Sequence, residues 1–216
     1  MLELAVKSLI AYLAGSLMGA LLLGFLRGVD IRKLGSGNAG GTNALRTQGI
    51  WFALGVVVID VAKGWFAAGV LPKLALPGIG FDPDVGRNWL TVACALAVTV
   101  GHVYPIWFEF RGGKGAATLI GVLLGLAPVL LVPVLSAWLV TVMLSGYVGL
   151  GTMLGAASLP VWLTLKGPNE PALLAFAVCM AVFVIYTHRG NIARMRAGTE
   201  NRARRLWLFR GRSPAR

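Results

Sequence analysis

The sequence predicts an all-α integral membrane protein with seven transmembrane helices, its N-terminus outside and its C-terminus in the cytoplasm. Of its 216 residues, 57% are hydrophobic and only 13% are charged, whereas a soluble domain carries about 25% charged residues. Apolar runs of 18 or more residues recur along the chain, and each is long enough to cross a bilayer as a helix. We therefore expect residues 1–200 to form a single membrane domain, followed by a basic tail over residues 201–216.

Four of the apolar segments are clearly separated by polar loops. They lie at residues 4–26, 50–71, 89–108 and 171–187. The first is too long for a signal peptide and has a face of small residues suited to close helix packing. The second contains Asp60 and Lys63, which are three apart and so share one face of a helix. Because buried charges in a membrane normally pair, we weigh pairing of Asp60 with Lys63 or Arg46 against a direct role in a site.

The number of crossings between residues 116 and 165 follows from the charges of the loops. This run has no Asp, Glu, Lys, Arg or His. Net positive charge lies in the 27–46 loop, the 109–114 turn and the tail, whereas the N-terminus and the loops at 72–88 and 166–170 are neutral. The positive-inside rule places the first group in the cytoplasm and the second outside, so the run crosses an odd number of times. Three crossings use about 16 residues each, whereas one would leave roughly thirty apolar residues unplaced.

The stretch Gly35–Arg46 has the strongest chemical character in the chain, because Leu45 is its only large apolar residue. Its glycines allow the backbone to approach a ligand, and successive N–H groups in such a loop can bind an anion. Short hydrogen-bonding side chains alternate with them at Ser36, Asn38, Thr42 and Asn43. Arg46 adds a guanidinium that suits phosphate or carboxylate. The alternative interpretation is a flexible, solvated loop between two helices.

Three further polar patches are predicted on the same cytoplasmic face. They are Gly112–Thr118, Ser145–Gly149 and His188–Arg194. Lys114, flanked by Gly113 and Gly115, precedes an apolar helix whose N-terminal dipole favours an anion. The cations of these patches suit a phosphate-bearing ligand that enters from the cytoplasm. The alternative for Lys114 is that its side chain extends to lipid headgroups. For His102, which is alone in an apolar segment, we favour a packing role over a catalytic one.

Several familiar signatures are excluded. Gly35-x-Gly37-x-x-Gly40 matches a dinucleotide fingerprint but follows a membrane helix rather than a strand. Gly113-Lys114 is followed by glycine rather than Ser or Thr, so it is not a P-loop. Neither histidine is followed by an acid four or five residues later, and the sequence has no acid cluster for Mg²⁺ and no Cys/His ligand set. We therefore expect no cofactor and no metal, and packing roles for Cys94 and Cys179.

Three motifs in order carry a family resemblance. They are Ser36-Gly-Asn38-x-Gly40-x-Thr42-Asn43, Gly112-Gly-Lys114-Gly-x-Ala-Thr118 and His188-Arg-x-Asn191-Ile-x-Arg194. At this spacing they resemble the acyl-phosphate:glycerol-3-phosphate acyltransferases, the bacterial PlsY family, and the similarity extends from about residue 10 to residue 200. The chain departs from the family at Gly41, where alanine is usual, and at Gly149, where many members have serine. Replacement of that lost hydroxyl by Ser145 is left open by the sequence.

The resemblance implies an enzyme of phospholipid synthesis in the bacterial inner membrane, with its active site facing the cytoplasm. It would transfer a fatty acyl group from acyl phosphate to the sn-1 hydroxyl of glycerol 3-phosphate, releasing lysophosphatidic acid and phosphate. The implied catalytic residues are Lys114, His188 and Asn191. The implied substrate-binding residues are Ser36, Asn38, Thr42, Asn43, Arg46, Gly112, Gly113, Gly115 and Ser145.

Other functions and one mechanistic choice stay open at this point. The partners implied are the two substrates and the lipid bilayer; the basic tail suits anionic headgroups better than nucleic acid, because it follows a span directly. The alternative function is a transporter of a phosphorylated metabolite, against which the odd span count and one-sided polar groups argue. A membrane scaffold is a third option. The base that takes the hydroxyl proton is either His188 or the substrate's own phosphate, and the scarcity of acids favours the latter.

Overall fold

The structure, a computed structural model, describes residues 1–167, 170–204 and 206–209, in which helices are joined by turns and irregular loops. Over these residues it contains ten α-helices and no β-strand. The helices are α1 (Leu2–Ser16), α2 (Gly19–Leu26), α3 (Gly41–Gln48), α4 (Ile50–Trp65), α5 (Arg87–Val103), α6 (Ala116–Leu126), α7 (Leu131–Ser145), α8 (Val148–Lys166), α9 (Pro171–Thr187) and α10 (Arg189–Arg196). The predicted all-α class is confirmed.

Several helical stretches are long and apolar enough to cross a membrane. Four described stretches meet this requirement on their own: Ile50–Lys73, Arg87–Phe108, Pro128–Ser145 and Val148–Lys166. Two bent pairs, α1 with α2 and α9 with α10, raise the number of candidate spans to six if each pair is one span. Helix α6 is apolar but has only 11 residues, fewer than the roughly 20 that a straight span needs.

The first predicted span, residues 4–26, is one apolar segment but not one straight helix. Helices α1 and α2 meet at an angle of 45°, and the two residues between them, Leu17 and Met18, have extended backbone. The Ser16 hydroxyl donates to the carbonyl of Tyr12 (3.0 Å), a contact that often accompanies bent helices. The broken segment therefore exposes helix ends that need partners inside the protein.

The charge-free run of residues 116–165 forms three helices, α6, α7 and α8, as the sequence predicted for its crossings. Its first break falls at Pro128, where the chain has a short 3₁₀ turn before α7. Its second break falls at Gly146, which has the left-handed backbone (φ 78°) that commonly ends a helix. Helices α7 and α8 pack against each other. The number of membrane crossings made by this run stays a prediction, because α6 is short.

The chain divides into two compact units, Met1–Val129 and Leu130–Arg216. Within the first unit, α1 packs on α5 and α4 packs on α6. The second pair approaches so closely that a Cβ on Gly121 would lie 1.9 Å from the carbonyl oxygen of Val61. Small residues at such a contact allow helices in a membrane to pack tightly. Within the second unit, α8 lies against both α7 and α9.

Residues Glu3, Lys7 and Arg87 form a charged cluster in the first unit that ties α1 to the start of α5. Lys7 Nζ donates to Glu3 Oε1 (2.7 Å) and to the carbonyl of Pro72 (3.0 Å), and Arg87 donates to the same carboxylate (2.8 Å). The N-terminal amine pairs with Asp82, and this bond holds the pKa of the Asp82 carboxyl below its usual value. Four of the charges that cancel in the sequence, on Glu3, Lys7, Asp82 and Arg87, therefore take part in ion pairs.

The described part of the basic tail folds against the end of α7. The N–H of Ala203 donates to the carbonyl of Gly146 (2.7 Å), and Trp207 Nε1 donates to the carbonyl of Leu144 (3.2 Å). The guanidinium of Arg202 lies over the rings of Tyr147 and Trp207. These contacts satisfy carbonyls at a helix C-terminus, which α7 cannot satisfy alone. The predicted contact of the tail with lipid headgroups concerns residues that lie partly outside the described ones, at Arg205 and 210–216.

Candidate active site

The first motif loop is shaped by the side chain of Asn43. This residue is buried on α3, and its Oδ1 accepts a hydrogen bond from the N–H of Ser36 (3.0 Å). Its Nδ2 donates to the carbonyls of Ile31 (3.3 Å) and Leu34 (2.9 Å). Because both amide hydrogens and the oxygen are engaged within the loop, Asn43 holds the backbone of residues 31–36 in place. Its role in this structure is to shape the loop.

The side chains that face solvent on this loop are those suited to an anion. Ser36, Thr42 and Arg46 are exposed, whereas Asn38 is half-buried. Thr42 and Arg46 lie four residues apart on α3 and so share one face of the helix. The loop thus exposes the hydroxyls of Ser36 and Thr42 and the guanidinium of Arg46, on a backbone that Asn43 stabilises.

The second motif loop, residues 111–115, folds back on the end of α5. The N–H groups of Gly112 and Gly113 donate to the carbonyls of Val103 and His102, both at 3.1 Å. Gly115 then takes a left-handed backbone (φ 89°) and caps α6 at its N-terminus. Lys114 is held between these two fixed points. The sequence expected glycines to allow such a close approach around Lys114, and the geometry agrees.

The two motif loops of the first unit lie against each other. A Cβ placed on Gly113 would be 3.1 Å from the carbonyl oxygen of Ala39 in the first loop, and Gly113 itself is buried. A second link runs from Arg32, whose Nη1 donates to the carbonyl of Phe108 (3.1 Å). Asp30 orients this arginine through a 2.9 Å ion pair, and the guanidinium holds the pKa of the Asp30 carboxyl below its usual value. Gly113 and Ala39, which are 74 positions apart in the chain, are thereby neighbours.

The turn before the second loop carries backbone strain. Glu109 and Phe110 both have left-handed φ values, 59° and 56°. Each non-glycine residue in such a region costs on the order of 1–3 kcal/mol, and strain of this kind concentrates at functional sites. The Phe110 N–H donates to the carbonyl of Pro105 (3.0 Å), which holds the turn in this conformation.

The third motif lies in the second unit, where His188 joins α9 to α10. Its ring is buried, and Nδ1 lies 2.8 Å from the carbonyl oxygen of Val184. Because a carbonyl can only accept, Nδ1 carries the proton in this contact, and the neutral ring has its acceptor at Nε2. The contact fixes the orientation of the imidazole. In this tautomer Nε2 is the atom that can accept a proton. It can act as a base, or it can donate to a phosphate oxygen once the ring is protonated.

Asn191, one helical turn later, is oriented by an acid that the sequence analysis did not assign to the site. Its Nδ2 donates to Glu200 Oε1 (2.7 Å), and Arg194 Nε donates to the other oxygen of the same carboxylate (2.6 Å). A Cβ placed on Gly149 would lie only 2.7 Å from Asn191 Nδ2. The departure of Gly149 from the family's serine is thus accommodated by Asn191, which occupies the space where a serine side chain would begin.

The Ser145 hydroxyl makes its contacts within its own turn rather than at Gly149. Its Oγ donates to the carbonyl of Thr141 (2.7 Å) and accepts from the N–H of Tyr147 (3.1 Å). Both contacts belong to the turn between α7 and α8. In this structure the Ser145 hydroxyl stabilises that turn.

The buried charges of α4 pair as the structural interpretation of the sequence expected. Lys63 Nζ lies 2.9 Å from Asp60 Oδ1, and neither side chain is exposed. Lys63 also donates to the carbonyls of Gly15 (2.8 Å) and Leu17 (3.0 Å) at the end of α1. The N–H of Gly19, at the start of α2, donates to Asp60 (3.3 Å). The pair therefore places a cation at one helix C-terminus and an anion at the next N-terminus, the arrangement that the helix dipoles favour.

The predicted site residues therefore fall into two local groups. In the first unit the structure brings together the loops that carry Ser36, Asn38, Thr42, Asn43, Arg46, Gly112, Gly113, Lys114 and Gly115. In the second unit it brings Asn191 next to Gly149, one turn from His188. Sequence reasoning missed Arg32 and Glu200 as supports of the two groups. The sequence did hold a signal for Glu200, because it is the only acidic residue after Thr187, in a segment that has nine arginines.

Comparison with known proteins agrees with the resemblance carried by the motifs. A family model described as glycerol-3-phosphate acyltransferase matches residues 5–198. The chain is 42% identical to a glycerol-3-phosphate acyltransferase of Desulforamulus reducens, over 88% of this chain and 90% of that protein. It is 38% identical to one of Chlorobaculum tepidum, over 89% and 93%.

The fold is likewise similar to that of a solved protein. A crystal structure of PlsY, an integral membrane glycerol 3-phosphate acyltransferase in its glycerol 3-phosphate form, superposes with a TM-score of 0.79 at 32% identity. The match covers 92% of this chain and 94% of that one. The lysophosphatidic acid form of PlsY gives a TM-score of 0.76.

Fold and motifs together define a helical membrane protein of the acyltransferase class. The helices supply the apolar stretches, and the polar motifs cluster at their ends. With a family model matching nearly the whole chain, the chain belongs to the glycerol-3-phosphate acyltransferase family. The resemblance to PlsY drawn from the three motifs is confirmed.

Proposed function

We propose that this protein transfers a fatty acyl group from acyl phosphate to the sn-1 hydroxyl of glycerol 3-phosphate. The products are 1-acyl-glycerol 3-phosphate and inorganic phosphate, and the step belongs to phospholipid synthesis. The observation that carries the proposal is the contact between the two motif loops at Gly113 and Ala39. This contact brings the loop with the exposed side chains of Ser36 and Arg46 next to the loop that carries Lys114. The cations and hydroxyls of the two loops can then bind the phosphate groups of the two substrates.

The reaction needs orientation and charge stabilisation rather than a covalent enzyme intermediate. The sn-1 oxygen attacks the acyl carbonyl carbon, and the carbon–oxygen bond to phosphate then breaks, with the electron pair leaving on phosphate. Acyl phosphate is already activated, so positioned donors supply most of the required help. Lys114 stabilises the departing phosphate, while Ser36 and Arg46 hold the phosphate of glycerol 3-phosphate. Asn43, Gly112 and Gly115 shape the backbone around these contacts.

The proton of the sn-1 hydroxyl has two acceptors open to it. A phosphate oxygen of the substrate takes it directly in the version we favour, and His188 then binds and orients phosphate. In the other version His188 takes the proton at Nε2, because Nδ1 already donates to Val184. Asn191, oriented by Glu200, assists at the same end of α9 in both versions. Neither version requires a metal or a cofactor.

An assay with defined substrates tests the proposed reaction. Purified protein in detergent receives acyl phosphate and glycerol 3-phosphate, and both phosphate release and lysophosphatidic acid formation are followed. We expect the two products in equal amounts, no product without glycerol 3-phosphate, and no product when acyl-CoA or acylated acyl carrier protein replaces acyl phosphate. Transport of glycerol 3-phosphate into protein-containing vesicles without acyl transfer would contradict the proposal and support the transporter.

The proposed orientation in the bacterial inner membrane has seven spans, an outer N-terminus and a cytoplasmic site. We expect a membrane-impermeant maleimide to label Gly80→Cys in intact cells, in a background where Cys94 and Cys179 are alanine. Lys33→Cys, exposed in the first polar loop, should be labelled only after lysis. Gly80 is a suitable reporter because a Cβ there meets no atom within 4 Å. Labelling of Lys33→Cys from outside the cell would overturn the cytoplasmic placement.

A further inference from the structure

Three buried polar residues form a cluster within the first unit, and one of them, His102, contacts the second motif loop. Asp60, Lys63 and His102 have exposed fractions of 1%, 7% and 2%. His102 Nδ1 lies 3.5 Å from Asp60 Oδ1, and Lys63 Nζ lies 2.9 Å from the same oxygen. The sequence did not indicate a histidine–carboxylate pair, because the two residues are 42 positions apart and on different helices. The pair exists only in the folded unit.

His102 also contacts the loop that carries Lys114. Its carbonyl accepts the N–H of Gly113 (3.1 Å). Its ring lies so close to Gly113 that a Cβ placed there would be 2.2 Å from Nε2. One nitrogen of the ring therefore faces the Asp60 carboxylate and the other faces the backbone of the loop. Gly113 in turn touches the first motif loop at Ala39.

This geometry favours an indirect role for the ring. A general base must come within hydrogen-bond reach of the proton that it removes. Nε2 is covered by Gly113, Nδ1 faces Asp60, and only 2% of the residue is exposed. The Asp60 carboxylate beside the ring is a buried charge, and burying a charge costs free energy unless a partner satisfies it. Lys63 provides that partner.

We propose that His102 is a positioning residue for the Gly112–Gly115 loop, with Asp60 setting the orientation and tautomer of its ring. The distance of 3.5 Å between His102 Nδ1 and Asp60 Oδ1 is longer than a normal hydrogen bond, so the carboxylate acts through its charge, which favours a proton on Nδ1, the nitrogen that faces it. The ring then packs against Gly113 and so fixes the position of the adjacent Lys114. The effect on rate rests on the proposed acyl transfer, whereas the effect on loop order does not.

Two substitutions separate the two faces of the ring. His102→Asn retains a polar atom near the Nδ1 position but leaves the space below Gly113 empty. His102→Gln reaches the Nε2 position and fills that space. We expect kcat/KM to fall roughly tenfold or more for His102→Asn, since a displacement of about 1 Å at a reacting group can cost up to 10²-fold, and to fall less for His102→Gln. Val98→Ala, a buried change one turn earlier on α5, is the matched control for general loosening.

A double-mutant cycle with Lys114→Ala distinguishes positioning from a merely structural role. If His102 acts through Lys114, His102→Asn should lower kcat/KM in the wild-type background and have almost no further effect when Lys114 is alanine. Residues with independent effects give additive losses instead. Additive losses, or equal effects of His102→Asn and Val98→Ala, would overturn the proposal.

Hydrogen exchange gives a readout that does not depend on activity. The amides of Gly112 and Gly113 are hydrogen-bonded to the end of α5, so their exchange reports on loop order. We expect faster exchange in His102→Asn over residues 111–115, with exchange in α6 unchanged. Unchanged loop exchange would overturn the positioning role even if the enzyme is active. If the wild-type protein has no acyltransferase activity but His102→Asn still exchanges faster than the wild type over residues 111–115, the positioning role stands and only the proposed function is overturned.

Discussion

Replacement of Lys114 by alanine is expected to lower kcat/KM by at least ~10²-fold, the usual order for removing one electrostatic stabiliser of a transition state. Lys114 stands between a buried glycine and a glycine with left-handed backbone, at the N-terminus of α6. This position fixes an ammonium beside a helix dipole that also favours anions. A lysine that only reached lipid headgroups would need no such fixed backbone. Initial rates at varied acyl phosphate and glycerol 3-phosphate measure the effect.

Two companion variants make the Lys114 result specific. Lys114→Arg keeps the positive charge but replaces a compact ammonium with a planar fork, and it should also lose activity if the loop fits the smaller group. Lys33→Ala removes an exposed lysine from the other polar loop and should leave kcat/KM nearly unchanged. All variants must elute as monodisperse protein. Near-normal kcat/KM for Lys114→Ala would remove Lys114 from the mechanism.

The features that depend on local sequence could be predicted. The segment predicted as 89–108 forms α5 (Arg87–Val103) and a 3₁₀ turn at Ile106–Phe108, because a long apolar run with polar ends has few alternatives in a membrane. The pairing of Asp60 with Lys63 was one of two pairings that the sequence left open, and their spacing of three residues on one helix allowed it. The motif loops were recognisable because glycines and small polar residues interrupt an otherwise apolar chain.

The features that depend on contacts between distant segments could not be predicted. Residues 4–26 have the composition of one helix, and nothing local indicates that Lys63, 46 positions beyond Leu17, supplies a partner for the broken end. The His102–Asp60 contact joins two helices in the same way. Asn43 illustrates a third case, in which a residue expected at the ligand is engaged by its own loop. Each requires knowledge of which backbone groups are left without hydrogen bonds, and that emerges only from packing.

Lys63→Met is expected to produce the largest loss of stability of any substitution considered. Methionine nearly preserves the length and apolar volume of the side chain but removes the ammonium. Asp60 would then be a buried charge without its cation, and two carbonyls at the end of α1 would lose their donor. Removing one partner of a buried ion pair costs about 3–5 kcal/mol. The loss is measured as a lowered thermal midpoint of unfolding, followed by size-exclusion of the heated, detergent-solubilised protein.

A double substitution and a matched lysine test the physical cause of this loss. In Asp60→Asn with Lys63→Met the uncompensated charge disappears, so part of the stability should return, although the carbonyls of Gly15 and Leu17 still lack a donor. Lys73→Met removes an exposed lysine at the end of the same apolar stretch and should change stability by no more than about 0.5 kcal/mol. If Lys63→Met were as mild as Lys73→Met, the break between α1 and α2 would not depend on this ion pair. If the double variant were less stable than Lys63→Met, the stabilisation would come from Asp60 and its bond to Gly19 rather than from neutralising a buried charge.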